Sequence, residues 1–374
     1  MCEQANLQVH YADTSNPFLR RYADIVSRQV KHRCLATLAF NGDADPDMTW
    51  EVDGTLGEET FAIDHPRGGC LRIRGGTPIA LLWGIGKFLR TSRYTGTGMV
   101  LSNWRGETSP SKTFRCVYFA SHFSNFYQEA PLEVIERYVE ELALWGFNMV
   151  GVWFDYHQFD SFSDLAAQKT FKHICGILRA VNGVGLKTAV VVLANEAYRS
   201  SPRELRAEPT GRSHYGVELC PHKDGAIEQL MAWFAEEFQG YLDQGVQINH
   251  VSTGCYDQGG CGCAQCRPWG ANGYLLMSEK ISRLARKFFP ECTFNLNTWL
   301  FDYGGEQGEW RGLTEAFKEP PDWVDLLQAG AHGRFPTYPL EHGVPGGLPM
   351  FDFPEISMWN MYPWPLKPSR WILS

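Results

Sequence analysis

Residues 147–155 have the sequence Phe-Asn-Met-Val-Gly-Val-Trp-Phe-Asp, an apolar run of strand length that ends in a carboxylate. A run that is apolar on both faces is typical of a strand buried inside a parallel sheet. Helical patterns lie on either side of it, at 131–144 and 165–181. Strand and helix therefore alternate here, which predicts a parallel sheet with right-handed crossovers.

The same alternation continues toward the C-terminus. Further helices are predicted at 224–242 and 274–289. The predicted strands of this region are 115–121, 148–154, 188–194, 250–254, 294–299, 325–328 and 350–353. This pattern predicts a (β/α)8-type TIM barrel, in which eight strands close the sheet. Because seven strands are countable, we expect a barrel that is incomplete after strand 7 through C-terminal truncation; an irregular eighth strand is the alternative.

Toward the N-terminus the pattern changes to a small α/β sandwich domain. Asn16 and Thr77 are the predicted N-caps of its two helices. The predicted elements are a strand at 7–11, a helix at 17–32, strands at 35–40, 59–64 and 70–74, and a helix at 78–89. Residues 94–112 are rich in Gly, Ser and Thr, which indicates a linker. The 374-residue chain is thus divided into a first domain at 1–110 and a barrel domain at 111–374.

Composition indicates which classes of partner the chain is suited to bind. A net charge of −8 and a pI near 5.8 give no basic surface for nucleic acid or an anionic membrane. Aromatic residues make up 14% of the chain, with 13 Trp, and their flat faces suit the stacking of sugar rings. The N-terminus has no signal-peptide pattern, and no apolar run approaches a membrane span, so we expect a cytoplasmic protein with mostly free thiols. The oligomeric state is left open.

Polar residues follow most of the predicted barrel strands, at the edge where sites form in this fold. They are Asp155 and His157, Glu196, Tyr256 and Asp257, Trp299 and Asp302, and Asp352 and Glu355. Glycoside cleavage needs one carboxyl to protonate the leaving oxygen and a second group as nucleophile or base. Any one of these carboxylates could instead cap a helix, but acids at several strand ends, interleaved with aromatic residues, favour a carbohydrate site.

Three segments carry a family resemblance. Residues 114–123 and 147–155 resemble the first two barrel strands of the β-N-acetylhexosaminidase group of glycoside hydrolases. Residues 69–78 resemble the end of the small domain that precedes the barrel in that group and in α-glucuronidases. The resemblance implies that Arg115 contacts the bound sugar and that Asp155 lines the pocket.

The sequence departs from the hexosaminidase pattern after the fourth strand. That group has an Asp-Glu pair there, and this chain has Asp257-Gln258. We therefore predict Asp257 as the acid or as the carboxylate that orients the substrate, with Asp302 or Glu355 as the second catalytic carboxylate. The predicted substrate-binding residues are Arg115, Asp155, His157, Glu196, Tyr256, Trp299 and Asp352.

These residues predict a glycoside hydrolase that cleaves a terminal sugar of the hexosaminide or uronide class without a catalytic cofactor. The missing Glu motivates an alternative, a catalytically inactive carbohydrate-binding protein on the same scaffold. A third hypothesis is a metalloenzyme that uses clustered thiols.

Three thiols occur within six residues, at Cys261, Cys263 and Cys266. Thiolates at such spacing can close around one zinc ion, with Cys220 or Cys255 as the fourth ligand. A zinc ion held by four thiolates would be structural. Free thiols in apolar packing, a redox loop and a disulfide are the alternatives.

Overall fold

The computed structural model describes residues 3–66, 69–210, 215–256, 259–303, 307–330 and 337–353. The chain divides into two compact units. The first comprises Met1–Val117, Ala130–Val150 and Gly176–Lys187, and the second comprises Tyr118–Glu129, Gly151–Cys175 and Thr188–Ser374. The domain boundary near residue 110 stays a prediction.

A six-stranded sheet and its helices open the chain. The elements are β1 (Asn6–Tyr11), α1 (Pro17–Arg33), β2 (Thr37–Phe40), β3 (Met48–Val52), β4 (Phe61–Asp64), β5 (Leu71–Gly75), α2 (Pro78–Thr91), β6 (Arg93–Tyr94), β7 (Met99–Val100) and β8 (Gly106–Thr108). The sheet order is β2-β1-β3-β5-β4-β8. Both predicted N-caps are confirmed, since Asn16 accepts the Phe18 N–H at 3.0 Å and Thr77 accepts the Ala80 N–H at 3.3 Å.

The structure corrects two predictions in this region. Strand β3 was not predicted, although it lies in the sheet between β1 and β5. The predicted linker at 94–112 is wrong in part, because β8 pairs antiparallel with β4 and extends the sheet, while β6 pairs with β7. All three residues of β8 are exposed, so this edge strand has no apolar pattern that sequence analysis could detect.

The rest of the chain alternates strand and helix as predicted, with three further short helices, at 126–129, 309–316 and 337–342, that were not predicted. The elements are β9 (Cys116–Tyr118), α3 (Phe126–Glu129), α4 (Leu132–Trp145), β10 (Met149–Trp153), α5 (Leu165–Gly183), β11 (Lys187–Leu193), α6 (Ala226–Asp243), β12 (His250–Gly254), α7 (Gly273–Phe288), β13 (Thr293–Asn297), α8 (Glu309–Ala316), β14 (Leu326–Gly330), α9 (Thr337–His342) and β15 (Met350–Phe353). The strands form one seven-stranded sheet in chain order, and the pairs from β11 to β15 are parallel. A TIM-barrel-type domain after an α/β domain is confirmed.

Charge pairing and close backbone contact hold the helices of the first unit together. Glu140 on α4 is 3% exposed and forms ion pairs with Arg21 and Arg28 of α1. Gly86 of α2 lies so close to α4 that a Cβ atom there would overlap the carbonyl oxygen of Leu144. The glycine is therefore needed for this helix contact.

Polar side chains also fill part of the parallel sheet. His250 Nε2 and Asn295 Oδ1 are 2.5 Å apart, and the Asn295 amide donates to Gln328 at 3.2 Å. All three are buried on neighbouring strands, so each satisfies the hydrogen-bonding groups of the next.

Among the described helices, none has the length and apolar character needed to cross a membrane.

Candidate functional site

Asp155 and His157 form a hydrogen-bonded pair directly after β10. The Asp155 side chain is fully buried, whereas the His157 side chain is 17% exposed. Asp155 Oδ1 accepts a hydrogen bond from His157 Nδ1, and Asp155 Oδ2 accepts one from Gln158 Nε2 at 2.8 Å. A carboxylate that accepts from Nδ1 fixes the tautomer and leaves Nε2 as the second ring nitrogen for proton transfer. The pair is therefore suited to acid/base chemistry.

Two exposed aromatic residues flank this imidazole. The His157 ring lies 4.3 Å from the Tyr215 ring and 5.7 Å from the Phe123 ring, between centroids. Tyr215 is 42% exposed and Phe123 is 41% exposed. Phe123 also has φ 55°, a left-handed conformation that is rare for a bulky residue. These rings offer apolar faces beside a polar group, the combination that a sugar ring requires.

Glu196 is the buried carboxyl that holds this strand edge together. It follows β11, is 1% exposed, and accepts hydrogen bonds from Tyr156 N at 2.6 Å and Leu193 N at 3.2 Å. The indole Nε1 of Trp153 donates to the same carboxyl at 3.1 Å. Burial and the neighbouring Asp155 carboxylate raise the pKa of Glu196 well above its usual range. Glu196 lies beside the predicted site. Its carboxyl is buried and holds Trp153 and Tyr156 by hydrogen bonds instead of facing solvent.

A second buried carboxyl, Glu237 on α6, was not predicted. It accepts hydrogen bonds from Tyr156 Oη at 2.5 Å and Tyr241 Oη at 2.8 Å. Burial raises the pKa of Glu237 to about 7. Its place on the apolar face of α6, in register with Phe234 and Tyr241, is the sequence signal that could have identified it.

His122, which follows β9, was also missed. Its Nε2 lies 2.8 Å from the Tyr118 hydroxyl, and its ring packs edge-on against Trp153 with centroids 4.6 Å apart. Burial lowers the pKa of His122 to about 4. A neutral imidazole thus packs behind the Trp153 side chain.

The predicted residues after β12 and β13 have structural partners. Asp302 accepts the backbone N–H groups of Gln307 at 2.7 Å, Glu309 at 3.0 Å and Trp310 at 3.1 Å, so it caps the start of α8. The buried Glu309 in turn accepts from Asp302 N at 2.7 Å and from the Tyr256 hydroxyl.

This geometry gives Asp302 a capping role in place of the predicted catalytic one. Trp299 is half-buried, and its carbonyl accepts from the Cys255 thiol at 2.8 Å.

Arg115 lies at the wrong end of its strand for the predicted sugar contact. It precedes β9, whereas barrel sites form where strands end. Its guanidinium donates to Glu59 at 3.1 Å and to the Gly146 carbonyl at 2.8 Å. These bonds explain the arginine as a structural residue of the first unit.

Three predicted residues lie wholly or partly outside the described structure. Asp257 and Glu355 fall outside the described residues. The backbone of Asp352 belongs to β15, but its side chain is not among those described. Their roles stay predictions, and the described site consists of the residues after β9, β10 and β11.

Four thiols converge beside this strand edge. The Sγ atoms of Cys220, Cys261, Cys263 and Cys266 all lie within 4.8 Å of one another. Cys220 Sγ is 3.8 Å from Cys263 Sγ and 3.9 Å from Cys266 Sγ. A disulfide needs an S–S distance of about 2.05 Å, so these thiols are unlinked. The fourth member of this thiol cluster is Cys220, since Cys255 donates to Trp299 instead.

Local backbone contacts create the thiol cluster. Cys266 N donates to Cys263 O at 3.1 Å, which forms the turn that brings these two thiols together. Gly262 passes so close to a neighbouring loop that a Cβ atom would overlap the Pro209 carbonyl oxygen. None of the cysteines among the described residues forms a disulfide.

Comparison with known proteins identifies solved structures of similar fold. No protein-family model and no curated protein matches the sequence. The family 20 β-N-acetylhexosaminidase of Streptomyces coelicolor A3(2) is similar in structure, with a TM-score of 0.64 and 14% identity over 93% of this chain and 70% of that chain.

Two further hexosaminidases have the same fold. A mutant Streptomyces plicatus β-hexosaminidase in complex with its product GlcNAc gives a TM-score of 0.64 and 15% identity over 94% of this chain and 70% of that one. The family 20 exo-β-N-acetylglucosaminidase of Vibrio harveyi, in complex with N-acetylglucosamine, gives 0.56 and 12% over 88% of this chain and 58% of that one. The chain has the fold of these glycoside hydrolases.

Proposed function

We propose that this protein is a glycoside hydrolase that releases a terminal N-acetylhexosamine from a carbohydrate, with uronides as the second substrate class. The observation that carries the proposal is the Asp155–His157 pair after β10, on a chain whose fold matches hexosaminidases over 93% of its length. Strand ends are where this fold performs chemistry. The exposed rings of Phe123 and Tyr215 support a carbohydrate ligand.

In this proposal His157 transfers a proton, and Asp155 orients the His157 imidazole. Hydrolysis breaks the bond between the anomeric carbon and the leaving oxygen; the leaving oxygen takes a proton, and water supplies the hydroxyl that joins the sugar. Glu196 keeps Trp153 and Tyr156 in place beside the pair. Asp257, which the sequence predicts as the acid, is the candidate for the second catalytic group beside His157.

The test is hydrolysis of aryl glycosides. We expect activity on an aryl N-acetyl-β-glucosaminide, and we expect Asp155→Asn to lower kcat/KM by about 10²–10⁴-fold, because Asn presents an N–H to His157 and disturbs the tautomer. Asp160→Asn is the matched control, since Asp160 is exposed and pairs only with the surface residue Arg199 among the ion pairs described.

A wild-type protein that binds oligosaccharides but cleaves neither aryl hexosaminides nor aryl uronides would support the binding-protein alternative. Full activity in Asp155→Asn would refute the assigned role of the pair.

We further propose that the thiol cluster holds one structural zinc ion. With Zn–S bonds of about 2.3 Å, the ligands of a tetrahedral site lie about 3.8 Å apart. The Cys220 sulfur lies 3.8 Å from that of Cys263 and 3.9 Å from that of Cys266, which fits such a site. Four thiolates leave no open position for substrate, so the metal would stabilise the loops and take no part in the reaction.

Metal analysis tests this proposal. We expect one zinc per chain in the purified protein and a loss of zinc in Cys263→Ser. Cys292→Ser is the control, because Cys292 is a buried free thiol outside the cluster. A zinc-free wild type would contradict the proposal. Immediate loss of activity on chelation, with the fold unchanged, would instead favour the metalloenzyme hypothesis.

A further inference from the structure

The side chain of Asn195 bridges the two loops that carry the thiol cluster. Asn195 follows β11 and is 0% exposed. Its Nδ2 donates to the Leu219 carbonyl at 2.8 Å and to the Gly260 carbonyl at 3.0 Å. Its Oδ1 accepts the Gly260 N–H at 2.9 Å. One amide therefore makes three hydrogen bonds to two distant loops.

The two bridged residues directly precede cluster cysteines. Leu219 is followed by Cys220, and Gly260 is followed by Cys261. The backbone of Asn195 adds a fourth bond, because Leu219 N donates to the Asn195 carbonyl at 3.1 Å. These hydrogen bonds therefore fix the distance between the Cys220 loop and the Cys261 loop at a point next to the sulfur atoms.

The same residue adjoins the candidate active site. Asn195 precedes Glu196, whose carboxyl accepts from Trp153 Nε1 and from Tyr156 N. We propose that Asn195 is a positioning residue that pre-organises the thiol cluster for zinc and joins it to the Glu196 edge of the site. This inference rests on the zinc proposal above.

A second connection makes the inference testable without unfolding the loops. Cys220 N donates to Leu205 O at 2.9 Å, and Gly262 N donates to Glu208 O at 2.8 Å. These backbone bonds also tie the two loops through residues 205–208, and they do not involve the Asn195 side chain. Asn195→Ala therefore removes the side-chain bridge but leaves the second connection.

The experiment measures zinc affinity of the full chain by competition with a chromophoric chelator. Hydrogen-bonding groups outside the ligand set change metal affinity by about 10–100-fold, and we expect a loss of this size in Asn195→Ala. The Co²⁺-substituted variant should keep the absorption spectrum of a tetrahedral thiolate site, because all four ligands remain.

Asn295→Ala is the matched control. Asn295 is also a fully buried Asn on this sheet, but its partners are His250 and Gln328. We expect it to cost stability without changing zinc affinity. Equal zinc affinities in wild type and Asn195→Ala would overturn this inference but not the zinc proposal. Equal losses of zinc affinity in Asn195→Ala and Asn295→Ala would do the same. A wild type that binds no zinc would overturn the zinc proposal and this inference together.

Discussion

Replacing Glu237 by Gln is expected to remove a large part of the pH dependence of stability. Glu237 is 0% exposed, and burial raises its pKa from 4.5 to about 7. A carboxyl with a raised folded pKa contributes stability that is fully present below the unfolded pKa and is lost as the pH rises through the folded one. Since one pKa unit corresponds to about 1.36 kcal/mol, wild type should lose about 3 kcal/mol between pH 4.5 and 7 from this group.

Glutamine imitates the protonated carboxyl at this position. Its carbonyl can accept the Tyr241 hydroxyl, as the carboxyl does at 2.8 Å. Its NH₂ group would face Tyr156 Oη, whose own proton can turn toward the Trp233 carbonyl at 3.4 Å. The variant should therefore match wild type near pH 4 and exceed its free energy of unfolding by about 3 kcal/mol near pH 8.

Urea unfolding at intervals from pH 4 to 8.5 measures this difference. Glu228→Gln, on the same helix and exposed, is the control that should follow the wild-type pH profile. If Glu237→Gln and wild type lose stability in parallel as the pH rises, Glu237 is not the titrating group and the reasoning fails.

Two further changes address packing and capping. Asp302→Ala removes the acceptor of three backbone N–H groups at the start of α8 and should lower stability by about 1–2 kcal/mol in a urea titration; no change would show that the cap is dispensable. Gly86→Ala forces a Cβ atom against the Leu144 carbonyl and should lower the Tm by several degrees, whereas Gly96→Ala, with open space around it, should leave the Tm nearly unchanged.

Much of the barrel region could be predicted because buried apolar runs, such as those of β10 and β11, alternate with helical patterns. The predicted strand at 250–254 matches β12, and the one at 148–154 contains β10 with one extra residue at each end. Burial on both faces leaves such a run little choice of conformation. Strand β8 carried no such signal, because it is exposed and is held by its pairing with β4.

The site was less predictable, because sequence does not specify which partner a polar side chain meets. Asp155 and Asp302 both follow barrel strands, yet Asp155 orients a histidine and Asp302 caps a helix. The thiol motif was evident from its spacing. Its fourth member, Cys220, lies far away in sequence and could be distinguished from Cys255 only by three-dimensional structure.

The thiol cluster has an evolutionary consequence for this scaffold. Loops after barrel strands usually change length independently, and this freedom lets the fold acquire new specificities. Here the β11–α6 connection contributes Cys220, and the β12–α7 connection contributes the other three cysteines. An insertion in one of these connections must preserve its fit to the other. In relatives that keep the four cysteines, we expect these two loops to vary together in length, and specificity to diversify mainly in the loops after β9 and β10.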